Sequence, residues 1–107
     1  MPLQEWLSEK IWKLEPNMTR ETCSWATMLG CLEMIASGTT CFNDMYFFVE
    51  DVAREVEKSG MRAVLSGVIL DFSSDPKLQR ENAGRIIDLL KGMRNPLITP
   101  AIAPHAA

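Results

Sequence analysis

The chain holds a single histidine, so no HxH or HExxH pair can form within it, and neither a GxSxG elbow nor a glycine-rich phosphate loop occurs. A metal site needs three or four convergent ligands, which His105 and scattered carboxylates do not supply. No catalytic residue and no metal ligand is therefore assigned within these 107 residues. The three cysteines, Cys23, Cys31 and Cys41, fall at neither CxxC nor zinc-finger spacing; an odd number of such thiols predicts reduced, buried side chains in a cytoplasmic protein. No apolar run is long enough to span a bilayer. Charge of one sign is never concentrated: 11 basic and 14 acidic residues, net −3, are dispersed, which predicts neither a nucleic-acid nor a membrane partner. Asn17-Met18-Thr19 fits the glycosylation acceptor pattern, but Met1 leads into an amphipathic stretch rather than a charged-then-apolar leader, so the pattern carries little weight.

What is present is alternation. Leu3, Trp6, Leu7, Ile11 and Leu14 recur at helical spacing, and the helix they predict ends before Pro16, leaving Glu15 at its end. Thr19 is a suitable N-cap for a second helix running to about Ser37, with Gly38 just beyond it. That helix is apolar over most of its circumference, from Cys23 and Trp25 to Ile35 and Ala36, and so requires cover on more than one side. The chain is organised around the next stretch, Gly38 to Tyr46: a helix-ending glycine, a β-prone run from Thr39 to Phe42, and the polar pair Asn43-Asp44.

Val49, Val52, Ala53 and Val56 then form an apolar helical stripe, with Glu50 and Arg54 expected to pair on the outer face and Gly60 closing the helix. Arg62 to Leu70 reads as a strand covered on both faces. The loop from Asp71 to Pro76 is expected to cap a helix from about Lys77 to Met93, with Leu78, Ile86, Leu89 and Leu90 facing the core. A final strand, Leu97 to Ala103, leads into Pro104-His105.

The order helix, helix, strand, helix, strand, helix, strand predicts an α/β fold with parallel strands and right-handed crossovers. Three parallel strands cannot close a barrel and leave edges uncovered, so the chain is expected to be part of something larger and, alone, to self-associate as a homo-oligomer. Groups at the carboxyl ends of parallel strands are where sites form, which singles out Asp44 and His105 together with Glu15 at its helix end. From their neighbours alone, Glu15 and His105 also read as ordinary surface groups, and the chain as a stand-alone α/β interaction module that oligomerises through its open sheet.

PLQEWLSEKIWKLEP, the run TMLGCLEMIASGTTCFNDM, then SGMRAVLSGVILD and finally APHA resemble successive blocks of the amidohydrolase superfamily. Within it they resemble the adenosine-type deaminases that act on 5′-methylthioadenosine, S-adenosylhomocysteine and 5′-deoxyadenosine, with chlorohydrolases and guanine deaminases as further relatives. The resemblance covers nearly the whole chain. It implies a partial (β/α)8 TIM-barrel segment, residues 1–107, lacking the first strand and the second half of the barrel. It also implies a parent hydrolase that deaminates a small-molecule nucleoside with a divalent metal, usually zinc, which lowers the pKa of a bound water. On the resemblance, Glu15 matches the glutamate that accepts hydrogen bonds from the ribose hydroxyls, and His105 matches a histidine that contacts substrate rather than metal. Asp44 falls at a strand mouth, in a structural or pocket-wall role.

Two departures accompany the match. Ser66-Gly67 stand where many relatives carry an arginine, which disfavours a substrate with a carboxylate tail. The family's metal ligands and proton-shuttling glutamate all lie outside this segment, so it is expected to hold no cofactor and to be inactive alone.

Overall fold

A computed structural model describes residues 1–70 and 76–106. Helix α1 begins at Leu3–Trp6, passes through a π-helical turn at Leu7–Ile11, resumes over Trp12–Leu14 and finishes in a 3-10 turn at Glu15–Asn17. Pro16 is accommodated inside that last turn, where its missing N–H has no helical partner to lose. Helix α2 spans Arg20–Ala36. Its N-terminus is capped by Thr19, whose hydroxyl oxygen accepts from the Thr22 amide at 3.1 Å. Its C-terminus closes in a Schellman arrangement: Gly38 at φ 84°, with the Gly38 amide donating to the Ile35 carbonyl and the Thr39 amide to that of Met34.

The remaining elements alternate: β1 (Cys41–Met45), α3 (Val49–Ser59), β2 (Arg62–Leu70), α4 (Pro76–Gly92) and β3 (Ile98–Ala106). The strands form one parallel sheet in the order β1-β2-β3. Parallel pairing of consecutive strands requires a crossover, and α3 and α4 supply it. One face of the sheet is the core. Ala63 and Leu65 on β2 are fully buried there against Val52 and Val56 of α3 and Leu90 of α4. Gly67, on the same side of β2, lets α4 approach: a Cβ there would stand 3.2 Å from Ile86 Cδ1.

Several sequence expectations are corrected. Asn43 and Asp44 do not follow the first strand but lie within it, because pairing with Val64 and Leu65 overrides their weak strand preference. The last strand does not stop at Ala103 but continues through His105 to Ala106. Glu50 and Arg54 do not pair with each other: Glu50 takes Arg20 of α2 at 3.3 Å and Arg85 of α4, while Arg54 takes Asp51 at 2.7 Å. Asp51 also accepts from Arg20 at 2.6 Å and is buried, so the start of α3 is clamped electrostatically to its neighbouring helices. Arg85 holds the Glu50 carboxyl below the usual carboxylate range.

Cys23 and Cys31 are buried free thiols as expected, whereas Cys41 is exposed, on an edge strand with no outer neighbour among the described residues. The helix predicted to need cover on several sides receives it on one: Trp25, Leu29, Leu32 and Ile35 remain exposed along α2. The expected helix cap between Asp71 and Asp75 and the core position given to the Leu78 side chain lie outside the described residues.

Candidate active-site pocket

The carboxyl ends of the strands and the end of α1 enclose a cavity of about 740 Å³. Leu7, Trp12, Met45, Phe47 and Val68 give it largely apolar walls, and its polar groups are Glu15, Tyr46 and His105. Glu15 and His105, from opposite ends of the sequence, thus border one pocket. No lysine or arginine lines it among the described residues.

Each polar group is placed by a distinct backbone device. Glu15 opens the 3-10 turn that ends α1, and its carbonyl accepts from the Met18 amide at 2.9 Å, turning the chain toward α2. Upstream, the π turn has a direct effect on the wall. The Trp12 amide donates to the Leu7 carbonyl, closing an i to i+5 ring, and Leu7 and Trp12 both line the cavity. In an α-helix, residues five apart would diverge by roughly 140°.

Tyr46 follows the last residue of β1, and Phe48 then adopts a left-handed conformation at φ 54° before α3 begins. The Cys23 thiol donates to the Phe47 carbonyl at 3.7 Å, fixing this corner from α2. Burial pushes that thiol above its ordinary pKa, keeping it a protonated donor.

His105 owes its position to an irregularity. Val68 pairs with Ala103 and Ile69 with Pro104, but Leu70 pairs with Ala106, so His105 has no partner in the register and forms a bulge. A bulge re-aims the side chain it carries, and this one lines the pocket. The sequence offered no signal for it beyond Pro104, which cannot donate to a ladder.

A hydrogen bond joins two of these groups: the Tyr46 hydroxyl donates to Glu15 Oε1 at 2.8 Å. Burial, followed by the hydrogen bond to Glu15 and the charge of its carboxylate, pushes the Tyr46 phenol up to about 12. Tyr46 therefore remains a neutral donor across the physiological range. Sequence reasoning stopped at Tyr46 as the end of a motif and gave it no role, although its position just past the carboxyl end of a parallel strand was the available signal.

Asp44, in contrast, is not among the residues that line the cavity. It pairs in register with Leu65 and shares the helix-facing side of the sheet. Burial raises its carboxyl above the ordinary range, partly offset by a hydrogen bond from the Met45 backbone. Among the described residues no group of histidine, cysteine or carboxylate side chains could hold a metal ion, so the residues present do not fit a metal centre by themselves.

The chain is similar over nearly its whole length to several known proteins. The chain is 47% identical, over 99% of its length, to a 5′-deoxyadenosine deaminase of Methanocaldococcus jannaschii, covering 26% of that protein. It is 51% identical to a 5′-deoxyadenosine deaminase of Methanospirillum hungatei, of which it covers 24%. It is 49% identical to a 5-methylthioadenosine/S-adenosylhomocysteine deaminase of Desulforamulus reducens, again covering 24%. The chain thus spans about a quarter of the length of the curated relatives it matches.

Among solved structures, an adenosine deaminase from Xanthomonas campestris with bound zinc superposes with a TM-score of 0.84 at 35% identity, over 97% of this chain and 24% of the other. The three parallel strands and their helices are accordingly an arc of a (β/α)8 barrel. The profile of the amidohydrolase family matches residues 1–107 throughout, and the chain belongs to that family.

Proposed function

We propose that this segment is the substrate-holding arc of a larger barrel that hydrolytically deaminates adenosine-type nucleosides and releases ammonia. In this reading the first strand and the second half of the barrel complete the site. The observation that carries it is the meeting of Glu15 and His105 on one largely apolar cavity beside the strand ends. An ionised carboxylate is an acceptor-only group able to take two hydroxyls at once, which suits a ribose diol. The imidazole offers one donor and one acceptor to a purine edge, and the apolar walls suit a flat base and a 5′-deoxy carbon.

The absence of lysine and arginine from the described part of the wall leaves a carboxylate tail without a counter-charge here, so a small uncharged 5′ end is favoured. A divalent metal, as in the zinc-bound neighbour, would supply the activated water when bound; in this reading its ligands belong to other parts of the barrel and the segment alone is inactive. The residues of this arc bind and orient the nucleoside and exclude water from one side of it.

An ammonia-release assay on the complete barrel tests the reading. Glu15→Ala should weaken binding of a ribonucleoside by about 1.5 to 3 kcal/mol, the scale of a charged hydrogen bond. An unchanged Michaelis constant refutes the ribose assignment. A second reading, a stand-alone module that oligomerises, is favoured by one observation, the exposed Trp25, Leu29, Leu32 and Ile35 on α2.

A further inference from the structure

We infer that Tyr46 is a positioning residue for ribose recognition: its hydroxyl, carried on the sheet, holds one oxygen of Glu15 so that the other is presented to the nucleoside. The inference rests on the assignment of Glu15 as the ribose acceptor and adds to it a residue which that assignment does not contain.

Within this arc α1 is loosely held. No residue from Leu3 through Asn17 is fully buried, and Leu3, Trp6, Trp12 and Leu14 are exposed. A glutamate at the end of such a helix has several side-chain torsions to lose on binding a ligand, each at an entropic cost. Tyr46 is differently supported. It follows β1 directly, its ring packs against that of Phe47 with centroids 5.0 Å apart, and the next carbonyl is gripped by Cys23. Tyrosine has only two side-chain torsions, so an anchored backbone fixes its hydroxyl closely.

The 2.8 Å bond from that hydroxyl to Glu15 Oε1 therefore transfers the position of the sheet to the helix. It occupies one of about four lone-pair sites on the carboxylate, leaving Oε2 and a site on Oε1 for two vicinal hydroxyls. Because Tyr46 stays protonated, its hydroxyl continues to donate to the carboxylate and takes up only this one acceptor site.

Steady-state kinetics of the complete deaminase barrel, with a ribonucleoside and its 2′,3′-dideoxy analogue as paired substrates, test this. Tyr46→Phe deletes one oxygen and keeps the ring. It should raise KM for the ribonucleoside about tenfold, as expected for a lost hydrogen bond to a charged group, while kcat is retained. KM for the dideoxy analogue should not move, and its retained turnover reports an intact fold. An equal loss with both substrates, or no loss with either while Glu15→Gln still penalises only the ribonucleoside, overturns the role of Tyr46 and leaves the ribose assignment standing. If Glu15→Gln itself fails to separate the two substrates, the ribose assignment falls, and the inference with it.

Discussion

The contact between Tyr46 and Glu15 can be measured without any substrate, because Tyr46 is the sole tyrosine of the chain. Absorbance at the tyrosinate band as a function of pH then reports one group. The wild-type midpoint should lie at about 12 rather than at the ordinary 10.0. Glu15→Gln removes the negative charge 2.8 Å from the phenol oxygen but leaves the burial in place. Even with the full screening of water, two unit charges at that separation repel by roughly 1.5 kcal/mol, which is about one pK unit. The variant should therefore titrate about one unit lower than wild type and still above a urea-denatured control. The sign for stability follows: the folded state keeps the phenolic proton to higher pH than the unfolded state, so stability declines as pH rises from 10.0 toward 12. That decline should be shallower in the variant. A wild-type midpoint at the denatured value, or a midpoint indifferent to Glu15→Gln, would refute the contact.

Two further outcomes follow from other parts of the fold. Asp44 faces the helix side of the sheet with its carboxyl raised by burial, so Asp44→Asn should stabilise the protein at neutral pH, with the advantage vanishing as pH falls below the Asp44 midpoint; urea denaturation at paired pH values checks it, and a destabilised variant at neutral pH would contradict it. Trp25, Leu29, Leu32 and Ile35 form an exposed apolar stripe on α2, so the 107-residue chain should self-associate, and Leu29→Glu with Leu32→Glu should shift it toward monomer in sedimentation velocity. A wild-type monomer at high concentration would sink that expectation.

The fold was legible in this sequence because its signals were redundant. Val49, Val52, Ala53 and Val56 mark a helical stripe, Gly60 ends it, and Arg62 to Leu70 reads as a covered strand; in the structure those four stripe residues are buried and that strand has the same bounds. The misreadings fall where tertiary pairing outweighs local preference. Asn43 and Asp44 are poor strand formers drawn into β1 by a buried neighbour strand, and Glu50 prefers two arginines from other helices to one from its own. The bulge at His105 and the bond between Tyr46 and Glu15 were invisible for a different reason. Both are relations between segments far apart in sequence, and neither changes the hydrophobic pattern from which elements are read.

The placement of the polar groups also shows how so short an arc brings distant residues to one cavity. Glu15, Tyr46 and His105 come from three separate segments, each set by a backbone irregularity: a 3-10 turn holding Pro16, a corner closed by a left-handed Phe48, and a bulge after Pro104. Regular helix and strand would project side chains at fixed intervals to both sides of a layer. These interruptions bring them to one cavity instead, while the regular parts of the same elements remain free to build the core. The hydrogen bond between Tyr46 and Glu15 then couples two of the three segments, so a shift in the β1 corner is felt at the end of α1. A change at Phe47, whose ring packs against that of Tyr46 with centroids 5.0 Å apart, would therefore reach Glu15 through the same hydrogen bond.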